Sequence, residues 1–290
     1  MIAPELTEEV LALTKRRSYI ELGARDRALA LLDPGTFREL LGPFDRVESP
    51  WLPMQGIVPQ SDDGCVVAKG KVDGQPAVVI ALEGKFQGGS IGEVCGMKIA
   101  TALALAREDN ERGKPTRAVL SIESGGVRLQ EANLGELVLA EIYAEMVALR
   151  KHTPIIALIA GMTGCFGGMS LAAGLASYVV MTPEARLSMN GPEVIEQEAG
   201  VDEIDSRDKP FIWSYCGGRQ RYGTRLADVL VEDDAEVIAA SVRDLFRRGL
   251  PAEVRSSQHE LFLDRLGALD PNKQWTANEL RDVWKDVSHD

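Results

Sequence analysis

Residues 153–170 limit the fold more than any other part of the sequence. Residues 155–160 form an unbroken apolar run rich in isoleucine. A run of that kind reads as a strand buried on both faces. Gly161, Gly164, Gly167 and Gly168 follow at once, and residues 169–175 then carry the small-residue pattern of a helix. A strand, a glycine turn and a helix start together aim unpaired backbone N–H groups at one point. Such a point binds negative charge.

The same device occurs twice more upstream. Residues 118–122 read as a strand, residues 123–131 as a turn containing Gly125 and Gly126, and residues 133–150 as a helix. Leu134, Val138, Ile142, Met146 and Leu149 share one face of that helix. Before it, residues 65–72 and 77–82 flank Asp73-Gly74, a hairpin signal. A third glycine turn, residues 83–92 with Gly88 and Gly89, leads into a helix over 93–107 that is small or apolar on nearly every side. Three strand–turn–helix units between residues 77 and 176 predict an α/β core. Such glycines also serve tight turns and close packing, but two pairs in matching contexts favour the halves of one site.

The flanks are more polar. Residues 1–50 are read as an N-terminal helical segment, 51–235 as the core and 236–290 as a C-terminal helical segment. In the first of these a helix over 21–32 stops at Asp33-Pro34-Gly35, and Thr36-Phe-Arg-Glu39 fits a capping box opening another short helix. Further on, 178–181, 186–189 and 229–231 read as short strands. Asn190-Gly191-Pro192 turns into a helix running through Glu198. Residues 202–209 read as a charged loop, 220–228 as a linker, and 235–248 as an amphipathic helix.

The chain has 290 residues, 45% of them hydrophobic, enough for a sizeable core. A net charge of −12 argues against a nucleic-acid footprint. Charged residues through the first 17 positions exclude a secretory leader, and no apolar run approaches the ~18 residues of a membrane span. Cys65, Cys95, Cys165 and Cys216 lack metal or C-x-x-C spacing and read as reduced, buried thiols of a cytoplasmic protein. His152, His259 and His289 show no metal-ligand spacing, so no metal site is expected.

Four ordered motifs carry a family resemblance. They are Phe86-Gln-Gly-Gly-Ser90, Ser124-Gly-Gly-Val-Arg-Leu-Gln-Glu131, Gly167-Gly168 and Gly191-Pro-Glu-Val-Ile-Glu-Gln197. In this order they resemble carboxyltransferase β-type domains of the crotonase superfamily, over about residues 20–235. That resemblance implies an α/β fold built as a crotonase-like spiral of ββα units. Unlike the acetyl-CoA carboxylase β subunit, the sequence has no cysteine before Cys65 and so no zinc ribbon. It also has Glu193 where those carboxylases tend to have arginine. The wording at residues 128–133 is most similar to β subunits of biotin-independent malonate decarboxylases.

The resemblance implies a substrate, malonyl thioester on an acyl carrier protein, and partners: a γ-type subunit, the carrier (δ) subunit and an α acyl-transferase subunit. No cofactor is implied on this chain; the carrier's phosphopantetheine-type thiol bears the substrate. Gly125, Gly126, Gly167 and Gly168 are the expected oxyanion donors, since losing one preorganised N–H typically costs about 3 kcal/mol of transition-state stabilisation. Gly88 and Gly89 are expected to touch substrate. Met162, Phe166 and Met169 either line an apolar cleft or pack in the core. Glu193 is either a partly buried proton donor or a helix-start charge. Arg128 pairs with Glu123 or Glu131. Cys165 reads as a small apolar filler, not a nucleophile. A carboxyltransferase chain of a biotin-dependent carboxylase is the alternative.

Overall fold

A computed structural model of the chain describes residues 14–285. Its centre is a seven-stranded sheet whose strands lie in chain order: β1 (Arg38–Leu40), β2 (Cys65–Val72), β3 (Gln75–Leu82), β4 (Arg117–Ile122), β5 (Ile155–Ile159), β6 (Tyr178–Met181) and β7 (Val229–Leu230). The first three pair antiparallel, and from β3 onward every pairing is parallel. The β2–β3 hairpin turns at Asp73 and Gly74, both with positive φ, as a two-residue turn of matching twist requires.

The parallel strands are apolar on both faces because both faces are covered. Val78, Ile80 and Leu82 of β3 point into a core built with α2 (Glu93–Glu111) and α3 (Leu134–Leu149). Ala77, Val79 and Ala81 alternate with them and face a second core with α1 (Ala24–Leu31) and α8 (Ala235–Arg248). This burial on both sides explains the lack of polar alternation in residues 155–160. α8 follows the amphipathic rule, with Ile238, Val242 and Leu245 buried and an Asp234 side chain capping its first turn.

Beyond the C-terminal ends of β3 to β5 the chain adds a second, smaller layer. Parallel bridges join Ile91 to Val127, Ser124 to Cys165, and Cys165 to Leu187. Each unit therefore contributes a long strand to the main sheet and a short extended piece to this layer before its helix. The result is the spiral of ββα units that the motif order implies.

Three expectations change. Thr36 does not cap a helix: its hydroxyl donates to Asp33 O at 2.8 Å and accepts from Lys71 N–H at 3.1 Å. Residues 38–40 form the edge strand β1, because pairing with β2 satisfies more backbone than a short exposed helix would. Residues 186–189 make only isolated bridges. The linker over 220–228 begins inside a helix, α7 (Gly218–Gly223), which follows α6 (Lys209–Cys216). The remaining helices are α4 (Gly168–Leu175), α5 (Pro192–Ala199), α9 (His259–Gly267) and α10 (Ala277–Lys285).

Candidate active site

Two buried ion pairs fix the glycine turns. Glu123 ends β4, and its carboxylate pairs with Arg27 from α1 while accepting Thr163 N–H at 3.0 Å. The same carboxylate fills the space that a Cβ at Gly84 or Gly161 would need. Three successive strand ends thus close around one charged group. The second pair is Arg128 with Glu131, at 2.8 Å. Arg128 also donates to Ser90 O at 2.8 Å and Asp63 O at 3.0 Å, and lies over the Phe86 ring. Glu131 accepts the Glu93 N–H at 2.7 Å, at the start of α2. Of the two partners open to Arg128, Glu131 is the one it takes.

The turns then touch one another through backbone. Gly125 N–H donates to Gly88 O at 2.8 Å, and Ile91 N–H donates to Gly126 O at 2.8 Å. Gly126 (φ 122) and Gly167 (φ 57) hold conformations that L side chains rarely adopt. A Cβ built on Gly167 would lie 2.9 Å from Gly126 Cα. The two glycine pairs are therefore neighbours, as expected for halves of one site.

The amides of the four glycines are not equivalent. Gly125 spends its N–H on Gly88 O, and Gly167 spends its own on Met189 O at 2.7 Å. Both N–H groups are thus already paired within the fold. Gly126 N–H reaches only the Ser124 hydroxyl, at 3.2 Å. Gly168 is the first residue of α4, and its N–H has no partner among the described residues, as helix geometry dictates. Tyr143 donates to Gly168 O at 2.6 Å, on the next peptide, and so ties the first turn of α4 to α3. Burial, with a smaller push from Cys165, raises the Tyr143 hydroxyl to about 12, so it stays a donor at neutral pH.

Other expected residues move. Met169 is 1% exposed and Phe166 5%, so both belong to the interior, Phe166 beneath the Arg186 guanidinium. They line no cleft. Gly89 is buried against the Glu123 backbone, whereas Gly88 is exposed at the mouth. Glu193 stands exposed on the first turn of α5 and is not the partly buried residue expected. Cys165 is buried, and burial alone pushes its thiol up, so it is not a nucleophile. Leu129, Leu137, Met162, Leu171 and Met189, on the segments that carry or follow the glycine turns, are exposed. The described residues hold no group of three His, Cys, Asp or Glu side chains placed for a metal ion, and no helix among them is long and apolar enough to cross a membrane.

The roles of Glu123 and Tyr143 were not read from sequence. Glu123 had one available signal, a charge at the end of an apolar strand; Tyr143 had none, since it sits on an ordinary helix face.

Comparison with known proteins agrees with this geometry. The carboxyl transferase domain model matches residues 20–260. The malonyl-S-ACP:biotin-protein carboxyltransferase of Malonomonas rubra is 39% identical, over 89% of this chain and 82% of its own length. The methylmalonyl-CoA carboxyltransferase 12S subunit of Propionibacterium freudenreichii is 31% identical over 93% of this chain, which spans 47% of that subunit. A chain in the crystal structure of a Pseudomonas malonate decarboxylase hetero-tetramer in complex with malonate superposes with a TM-score of 0.91 at 60% identity, covering 95% of this chain and 100% of that one. The chain belongs to the carboxyl transferase domain family and, within it, to the malonate decarboxylase subunits.

Proposed function

We propose that this chain is the β-type subunit that converts malonyl thioester on an acyl carrier protein to acetyl thioester and CO2. The C–C bond electrons move into the bond beside the thioester carbonyl, the carboxylate departs as CO2, and charge gathers on the thioester oxygen. The N–H groups of Gly126 and Gly168 receive that oxygen. They gain strength as the charge grows, which lowers the barrier more than it tightens substrate binding. The positive end of α4 adds to the effect. The observation that carries this reading is the unpaired Gly168 N–H, one residue on from the contact of Gly167 with Gly126, in turns held by backbone hydrogen bonds and buried ion pairs.

The carbanion carbon then takes a proton. Glu193, which faces solvent in the lone chain, serves as its donor only once a partner surface covers it. The exposed apolar side chains of Leu129, Leu137, Met162, Leu171 and Met189 suit a γ-type subunit that would close the cleft. The relatives support such an assembly: one solved structure is an MdcD–MdcE hetero-dimer and another a hetero-tetramer. The carrier's phosphopantetheine-type thiol presents the substrate, and an α-type acyl-transferase subunit would load it.

A second reading has its own support, since the Malonomonas rubra relative hands its carboxyl group to a biotin protein. The two separate in one assay. The chain, its γ-type partner and malonyl carrier protein are mixed with and without avidin, and CO2 is measured. Release that avidin leaves unchanged supports the decarboxylase. Release that needs a biotin protein overturns it in favour of the carboxyltransferase.

A further inference from the structure

A cavity of about 220 Å³ lies next to the glycine turn, bordered by Ser170 and Gly174 of α4, Ser188 and Met189, Arg221 of α7 and Arg255. It adjoins the turn through two residues. Ser170 Oγ donates to Gly167 O at 2.7 Å, and Met189 O accepts the Gly167 N–H. The rest of its lining is apolar, and no acidic side chain contributes to it.

The cations at this cavity are undercompensated. Arg221 uses Nε on Leu187 O at 2.7 Å and lies over the Tyr215 ring. No carboxylate among the described residues pairs with it. Burial lowers its guanidinium, the sign of a cation stripped of water without an anion in return. Arg255 gives one amino group to Asp228 at 2.8 Å, but its Nη1 is buried without a partner. Asp228 Oδ2 is already shared with the Val179 N–H, at 2.6 Å. Of the two guanidinium groups at the cavity, Arg255 thus shares its one carboxylate with a backbone N–H, and Arg221 has none. Burying unpaired charge is costly, and chains retain it where a ligand supplies the counter-charge.

The size and the planar forks define that ligand. A guanidinium pairs with a carboxylate through two parallel hydrogen bonds. The volume falls below the ~300–1,000 Å³ of pockets for drug-sized ligands. We infer that the Arg221–Arg255 cavity is a binding site for a small carboxylate. Two sources share this chemistry: the carboxylate of the malonyl group, or a free anion such as malonate or acetate acting on the neighbouring turn. The first source rests on the decarboxylase reading; the site itself does not.

The test begins with calorimetric titration of the full chain with sodium malonate and sodium acetate, using sodium chloride as the ionic-strength control. Saturable carboxylate binding is expected, weakened at least tenfold in Arg221→Met and in Arg255→Gln and partly kept in Arg221→Lys. Because no turnover is read, this result stands apart from any failure of the decarboxylase. In the wild-type complex, free malonate that competes with malonyl thioester identifies the acyl carboxylate as occupant. Free malonate that changes kcat without competing identifies a separate modulator. Binding no better than chloride, or binding unchanged in both arginine variants, overturns the site.

Discussion

At the scale of single residues, the site depends on which N–H groups the fold leaves unpaired. Gly126→Ala forces a side chain into φ 122, which costs about 1–3 kcal/mol of stability, and moves a donor. Turnover in the complex is expected to fall about 100-fold or more while the chain still melts cooperatively; a near wild-type kcat would remove Gly126 from the oxyanion role. Tyr143→Phe keeps the ring and removes the hydrogen bond to Gly168 O. It should cost about 1 kcal/mol in urea denaturation, with a milder loss of kcat than Gly126→Ala. That the two glycine pairs belong together was legible in sequence, but not which of their N–H groups the fold leaves unpaired. Gly125 and Gly167 are spoken for only because distant carbonyls, at Gly88 and Met189, come within reach after folding. Local sequence carries no mark of that.

At the scale of elements, buried charges set where strands end and helices begin. Removing one partner of the Arg27–Glu123 pair leaves an unpaired charge in the interior. Arg27→Met is therefore expected to destabilise by about 3–5 kcal/mol, and Arg27→Met with Glu123→Gln by clearly less, read from denaturation midpoints. Glu93, at the start of α2, gives a pH signature. Its carboxyl is raised first by burial and then by the Glu131 carboxylate. The folded chain holds this proton more tightly than the unfolded chain. Its stabilising contribution is complete below the unfolded value and is lost as pH rises through the folded one. Glu93→Gln should thus be more stable than wild type near pH 7 and no different near pH 3, in denaturation series at both pH values. The strands, turns and long helices of the core were legible because apolar runs and glycines mark them locally. Thr36 misled for the opposite reason: the capping pattern was present, but pairing of residues 38–40 with β2 is a tertiary event.

At the scale of the molecule, exposed apolar side chains lie close in the chain to the glycine turns. Met162 is 66% exposed, and Met189, whose carbonyl accepts the Gly167 N–H, is 51% exposed. If a γ-type subunit closes the cleft, peroxide should oxidise both methionines quickly in the isolated chain and several-fold more slowly in the complex, as peptide mass measurement would show. Equal rates would place the partner elsewhere. The apolar character of Met162 was visible in sequence. Its exposure was not, nor the burial of Met169, because both are set by how the turn and α4 pack against the rest of the fold.

The meeting of turns from separate repeats, Gly88 with Gly125 and Gly126 with Gly167, bears on how such an enzyme tolerates change. The proposed reactive centre is written in main chain, so exchanging outward-facing neighbours should alter little. A one-residue insertion or deletion between any turn and its helix shifts the whole stack out of phase. Lineages sharing this architecture should vary freely in letters there and hardly at all in loop length.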